Sequence, residues 1–412
     1  MVELDETKVE EEVAESWKLK RREFLKALLA GIGAGFFATA FGSSIAAYKY
    51  FLPPPKYGKT SFPNTFGQVD RIRITCISET SWFNNIVLVN DIMKAGGLLV
   101  NQYTIPWSTK DVKDGWSPEN YNVGDNSGGY SALIETWAKN GKEYHRFLLD
   151  WGWNQKWMEY IYNTVDTPTK DVPSDRLIKG KIIDLIKAPP GKGLDFVFIS
   201  HEHFDHYWGM DTVLKYNPNI PVYVPGTMYP ESFELLKGVP RGKYAPHAWN
   251  EHPHTGPLHV AKEPLVPFKI FDGCVGVLFD IPIICRVRGE EVLYFWVKDH
   301  GLVTVTGCNH PGIITLYEYG IRNFKDVRYG HNMYGVYGGL HISPFEDWDP
   351  DHDDLVLALP KYGLKKVGCN HCTGYITVEK FLKVGIPVVR GTARHKTKKD
   401  LYLGNADVIE FP

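Results

Sequence analysis

Leu194 to Ser200 reads L-D-F-V-F-I-S, and His201-Glu202-His203-Phe204-Asp205-His206 follows it without a break. The seven-residue run is short and mostly apolar, as suits a buried strand. Where the chain leaves such a strand, alternate side chains share a face, so His201 and His203 project together. Asp205 and His206 come next, as the backbone turns. Imidazole and carboxylate are donors that suit zinc, and their density in six positions marks a metal site. Isolated histidines are usually structural or solvated, but four polar ligands directly after a buried strand would be costly to bury without a partner.

Other segments extend the pattern. Upstream lie Ser127-Gly128-Gly129-Tyr130-Ser131-Ala132-Leu133-Ile134-Glu135 and Phe147-Leu148-Leu149-Asp150-Trp151-Gly152. Downstream come Thr306-Gly307-Cys308-Asn309-His310-Pro311-Gly312-Ile313, Tyr337-Gly338-Gly339-Leu340-His341-Ile342 and Asn370-His371-Cys372-Thr373-Gly374. With H-x-H-x-D-H as its centre, the set resembles the metallo-β-lactamase superfamily. Within it, the chain resembles the metal-dependent hydrolases related to the dihydropterin-ribofuranosylaminobenzene-phosphate synthase of methanopterin biosynthesis. The resemblance runs from about Arg71 to the carboxyl terminus. It implies an α/β fold, an αββα four-layer sandwich with two mixed sheets face to face and the metal site at one edge.

The same resemblance implies that His201, His203 and His310 bind a first metal ion and Asp205, His206 and His371 a second. Two divalent ions are expected, zinc first, with iron or manganese as alternatives. His310 and His371 each follow a strand-like run, so both would project from strand ends into one cleft. Many relatives carry a bridging aspartate at a strand end where this chain has Gly338-Gly339-Leu340-His341. His341 is then a replacement ligand or a substrate contact. Asp150 is expected to accept a proton from the distal nitrogen of a ligating histidine, and Ser200 is left outside the site. Cys308-Asn309-His310 and Cys369-Asn370-His371-Cys372 repeat one C-N-H step. Zinc takes thiolates and Cys369-x-x-Cys372 has a ligand-like spacing, but small buried cysteines packing strand ends are the simpler reading, with a Cys308–Cys369 disulfide as a testable alternative.

The amino terminus reads as an address. Lys20-Arg21-Arg22-Glu23-Phe24-Leu25-Lys26 followed by an uncharged stretch from Ala27 to Ala47 resembles a twin-arginine export signal. The partners implied are the export machinery and, through residues 27–47, a membrane. Ser44-Ile45-Ala46 offers a cleavage pattern, so release and retention as an anchor both stay open. Pro-rich Leu52 to Pro55 reads as a stiff linker. The expected organisation is a signal, apolar segment and linker over 1–59, then one domain over 60–412. That route carries folded proteins, which fits a protein that acquires its metal in the cytoplasm.

The 412 residues include 46 basic and 48 acidic side chains, a formal charge of -2. No excess of cations is left to displace phosphate counterions, so nucleic acid is not an expected partner. Six cysteines in so long a chain are too few for a disulfide-framed scaffold. Insertions are expected near 86–126 and 238–267. The second holds His247, His252, His254 and His259, read as solvated loop histidines without a carboxylate partner. Trp82, Trp107 and Trp116 would line an entrance or pack the first insertion. Asp353 to Lys361 fits a buried helix face only loosely, whereas a strand beginning near Val292 is clear.

Two adjacent divalent cations would lower the pKa of a bound water and polarise a scissile carbonyl or phosphoryl group. Asp205 would orient the nucleophile. The expected function is an exported metal-dependent hydrolase acting on a small ester, lactone, phosphodiester or amide. Alternatives are a transferase like the synthase and a non-catalytic metal-binding or accessory protein. Diiron redox chemistry is disfavoured because His203 stands where those relatives use a glutamate.

Overall fold

The computed structural model describes residues 66–79, 92–105, 128–189, 191–244, 248–324, 327 and 333–412. The expected signal and linker, Trp82, Trp107, Trp116 and His247 lie outside the described residues. Among the described residues no helix is long and apolar enough to cross a membrane.

Strands β1 (Arg71–Ser78), β2 (Ser131–Ala138), β3 (Glu143–Leu149), β4 (Val197–Phe198), β5 (Val222–Pro225) and β6 (Leu258–Ala261) belong to one sheet. A second holds β7 (Phe268–Phe271), β8 (Cys274–Pro282), β9 (Arg288–Val297), β10 (Gly301–Val305), β11 (Met333–Gly339) and β12 (Lys366–Asn370). The last strand, β13 (Val408–Phe411), returns to the first sheet beside β1. Strand orders are β13-β1-β2-β3-β4-β5-β6 and β12-β11-β10-β9-β8-β7. Both sheets are mixed: β3 to β6 run parallel beside antiparallel neighbours, and so do β10 to β12. Parallel strands need both faces covered.

The two-residue period of the strands supplies that cover. Ala132, Ile134, Phe147 and Leu149 face the second sheet and pack with Leu293 and Phe295 in one core. Leu133 and Leu148, on the opposite face, join Trp157 and Ile161 of helix Gln155–Tyr162 in another. Asn154 caps that helix, its side chain accepting from the Trp157 N–H. Outside the second sheet, Tyr294 of β9 donates its hydroxyl to the Leu316 carbonyl of helix Ile313–Asn323. The layers are therefore helix, sheet, sheet, helix.

Several local expectations differ from the structure. The Leu194–Ser200 run is strand only at Val197–Phe198, because the chain then peels off toward the site. The segment 238–267 is more than a loop, since Leu258–Ala261 pairs in parallel with β5 and extends the sheet. Its histidines are not simply solvated. His252 Nδ1 lies 2.8 Å from the Asp211 carboxylate, His254 Nε2 2.7 Å from the Ile220 carbonyl, and His259 stacks on Tyr223. The expected run Asp353–Lys361 is helix Asp351–Ala358 continued by a 3-10 turn, Leu359–Tyr362. Only Val356 of that helix is buried and Leu357 is 68% exposed, in keeping with its weak apolar pattern.

Candidate metal centre

The residues that follow β3, β4, β10, β11 and β12 meet at one edge of the sandwich. After β4 the chain places His201 and His203 on an extended stretch, and the one-turn helix Phe204–Tyr207 then presents Asp205 and His206. Gln102 pins this turn from the other side, donating to the Glu202 carbonyl and accepting from the Phe204 N–H. Glu202 points away from the histidines. Its carboxylate accepts from the Tyr229 N–H and the Ser232 hydroxyl, while burial pushes it up to about 8.

His310 follows β10 through a tight turn in which Asn309 takes a left-handed φ of 59°. The Glu290 carboxylate nucleates that turn, accepting from the Thr306 hydroxyl and from the N–H groups of Cys308, Asn309 and His310. It also lies 2.8 Å from His310 Nδ1. Burial works against the charge on Glu290, but the His310 contacts and the Thr306 hydroxyl outweigh it and hold it down at about 2. His371 follows β12, itself at a positive φ of 55°.

These side chains fall into sets whose candidate ligand atoms all lie within 4.8 Å of one another. His201, His203 and His310 form one set, and Asp205, His206 and His371 another. Each expected trio is thus brought together in space. Two further sets overlap them: His201, His206 and Cys308, and Cys308, His371 and Cys372.

Hydrogen-bond partners on the outer side assign the tautomer of each ring. Asp150 accepts from the Ser200 N–H and hydroxyl, both at 2.7 Å, and its Oδ2 lies 2.7 Å from His206 Nδ1. His206 therefore carries its proton on Nδ1. The Ser200 oxygen, its proton given to Asp150, accepts from His201 Nδ1 at 2.9 Å. Carbonyls, which can only accept, take the outer protons of His203 Nε2 (Ile284, 2.8 Å) and His371 Nδ1 (Glu79, 3.3 Å). Glu290 takes that of His310. The inner nitrogens of His201, His203, His206 and His310 are left as lone pairs, and that of His371 becomes one when a cation displaces its proton.

The inner nitrogens face one another. His201 Nε2 and His203 Nδ1 are 2.9 Å apart, and His206 Nε2 and His371 Nε2 are 3.0 Å apart. His310 Nε2 and both oxygens of Asp205 are buried without a hydrogen-bond partner, although Asp205 Oδ2 approaches His371 Nε2 to 3.4 Å. Acceptors at hydrogen-bond separation repel unless a proton or a cation lies between them, so this donor set fits divalent metal ions.

Electrostatics point the same way. Burial, then the neighbouring imidazoles, push His201 and His206 well below the ordinary histidine range. His203 drops to about 4 through burial and His310. Burial also opposes charge on His371, but Asp205, Cys372 and the Glu79 carbonyl outweigh it and lift it to about 9. Burial raises Asp150 against the pull of Ser200. A dry carboxylate beside neutral imidazoles is a group that gains from a nearby positive ion.

The remaining expectations separate. His341 sits at the end of β11 with a positive φ of 46° and its ring centroid 4.6 Å from that of His310. It joins none of the ligand sets among the described residues, and its ring lies beside His310. All six cysteines are free thiols, which removes the Cys308–Cys369 disulfide. Cys308 neighbours Cys372 instead, whose Sγ lies 3.6 Å from the Cys308 carbonyl. Ser200, left out on sequence grounds, links Asp150 to His201. Glu290 went unnoticed, although two successive carboxylates, Glu290-Glu291, at the head of an apolar strand were the available signal.

A metallo-beta-lactamase superfamily model matches residues 177–284. The synthase of Methanocaldococcus jannaschii that makes 7,8-dihydropterin-6-methyl-4-(beta-D-ribofuranosyl)-aminobenzene-5'-phosphate is 26% identical over 224 residues, 47% of this chain and 70% of that protein. Among solved structures, one described as a metal-dependent hydrolase of the beta-lactamase superfamily is 17% identical, with a TM-score of 0.43, over 77% of this chain and 94% of its own. The metallo-beta-lactamase fold protein YhfI of Bacillus subtilis is 12% identical, with a TM-score of 0.41, over 83% and 100% respectively. The chain thus matches the metallo-beta-lactamase superfamily over residues 177–284, has the metallo-beta-lactamase fold of two mixed sheets between helices, and is a distant homologue of the dihydropterin-ribofuranosylaminobenzene-phosphate synthase.

Proposed function

We propose that the protein is an exported metal-dependent hydrolase that cleaves a small ester, lactone, phosphodiester or amide. One observation carries the reading: His201, His203, His206 and His371, all buried, and the half-buried His310 hold their outer protons on fixed acceptors and turn their inner nitrogens, with Asp205, toward common points. His201, His203 and His310 would hold one divalent ion, and Asp205, His206 and His371 a second. When bound, such ions supply Lewis acidity and a water that ionises near neutral pH. The chain's own residues do the rest. Asp150, Ser200 and Glu290 keep the rings oriented, and Asp205 orients the attacking water. His341, beside His310, would contact the substrate or serve as a further ligand.

Elemental analysis of protein folded in the cytoplasm tests this, with His203→Ala and His371→Ala as controls. Two zinc ions per chain in the wild type, with metal lost from each variant, is the expected result and warrants a screen of esters, lactones and phosphodiesters. A chain that binds no metal overturns the reading. Export rests on the Lys20-Arg21-Arg22 segment and the apolar stretch behind it. It is tested by fractionation of cells expressing the chain with Arg21 and Arg22 replaced by Lys, which should trap the protein inside. The second reading, a transferase like the 26% identical synthase, predicts that a pterin and an aminobenzene ribotide are joined and simple esters are left intact. Export to a compartment without such biosynthetic intermediates speaks against it.

A further inference from the structure

Cys308 is not needed by the two histidine-based ligand sets, yet its thiol lies among them. Its Sγ is 3.1 Å from His206 Nε2, and it shares one ligand set with His201 and His206 and another with His371 and Cys372. The turn after β10 fixes this placement. Glu290 holds the N–H groups on either side of left-handed Asn309, so Cys308 and His310, two residues apart, both project into the centre. Asp205, buried and without a hydrogen-bond partner, stands in the adjoining set. The end of β11 brings no donor there. A Cβ on Gly339 would come within 2.5 Å of Cys372 Sγ and 3.3 Å of the Cys308 Cα, so that space belongs to the two cysteines.

We propose that Cys308 coordinates, as a thiolate, the ion held by Asp205, His206 and His371. The inference rests on the metal-site reading above. Binding breaks the S–H bond, forms a metal–sulfur bond and releases the proton to solvent, with no change of oxidation state. The ion then has two imidazoles, one carboxylate and one thiolate, a tetrahedral set that zinc accepts and that disfavours manganese and magnesium. Cys372 packs beside the thiolate without coordinating.

The test is cobalt substitution of the metal-free protein, read by near-ultraviolet sulfur-to-cobalt charge-transfer absorption and by bound cobalt per chain. Wild type and Cys372→Ser should bind two cobalt ions and show the band. Cys308→Ser and Cys308→Ala should lose the band, keep the ion at His201, His203 and His310, and weaken the other by at least the roughly 10–100-fold that loss of an outer hydrogen bond costs. Unchanged circular dichroism establishes that these variants fold. Two bound ions with no band in the wild type overturn the thiolate alone, as does a band that survives Cys308→Ser or vanishes with Cys372→Ser. Fewer than six titratable thiols in the denatured wild-type chain, signifying a Cys308–Cys372 disulfide, also overturn it. No bound cobalt at all overturns the metal-site reading with it.

Discussion

Asp150 does at the scale of one side chain what the candidate centre depends on throughout. It takes a left-handed φ of 55° at the end of β3, is fully buried, and its two oxygens receive the Ser200 N–H, the Ser200 hydroxyl and the His206 Nδ1 proton. Ser200 then passes orientation on to His201, so one carboxylate sets the tautomer of a histidine in each expected trio. An amide in its place keeps the volume but loses the charge, and its NH2 group would meet one of these donors. Asp150→Asn should therefore weaken metal binding by about 10–100-fold with the fold intact. Chelator competition on the zinc-loaded protein measures it, and an unchanged affinity would mean that the tautomers are fixed by other means. Ser200→Ala removes one link and should cost less. Asp150 could be read from sequence as the residue ending a strand before a turn, but its coupling to Ser200 could not. A serine's partner is set by where another strand end falls, and sequence spacing does not carry that.

On β9 two adjacent carboxylates show what strand geometry decides. Glu290 and Glu291 point to opposite faces because side chains alternate. Glu290 turns to the Thr306–His310 segment, accepts five hydrogen bonds and is held near 2. Glu291 shares the face of Leu293 and Phe295 toward the first sheet, where both its oxygens are buried without a hydrogen-bond partner and burial raises it well above the carboxylate range. The two substitutions should accordingly have opposite signs. Glu290→Gln removes the charge and sets a donor NH2 against the N–H groups of a buried turn, and should destabilise the protein by about 3–5 kcal/mol while weakening metal binding at His310. Glu291→Gln removes a carboxylate that folding holds uncharged, and should stabilise the protein at pH 7 by on the order of 1 kcal/mol. Urea denaturation of both variants decides, and equal losses would refute the assignment of faces. The H-x-H-x-D-H segment stood out in the sequence because it follows an apolar strand-like run, a local pattern, and the resemblance added His310 and His371, each after a run of the same kind. Glu290 did not, because its role depends on β9 lying beside β10. Strand β6 was likewise hidden, since the prolines and histidines around it read as a loop.

Across the whole molecule the centre joins the two sheets, with His201, His203, Asp205 and His206 delivered by the first and His310 and His371 by the second. Without metal, the histidines make stability depend on pH with two opposing signs. His203 is depressed to about 4 and His201 and His206 lie well below their ordinary range, so the unfolded chain binds more protons than the folded one as pH falls below about 6.5. Their contribution is full above that value and is lost as pH falls toward 4. His371 is raised to about 9, so its contribution is full below about 6.5 and is lost as pH rises through 9. The metal-free protein should be most stable between these limbs, and His371→Asn should flatten the alkaline one. Zinc held at the proposed centre would favour the folded state and tie the sheets together, so at roughly 1,000 times its dissociation constant it should add about 4 kcal/mol. For a chain of this size that raises the melting temperature by about 5 °C. Calorimetry of the metal-free and zinc-loaded protein at pH 5, 7 and 9 measures both effects. Melting temperatures that do not respond to zinc would show that the two sheets are not joined through this centre.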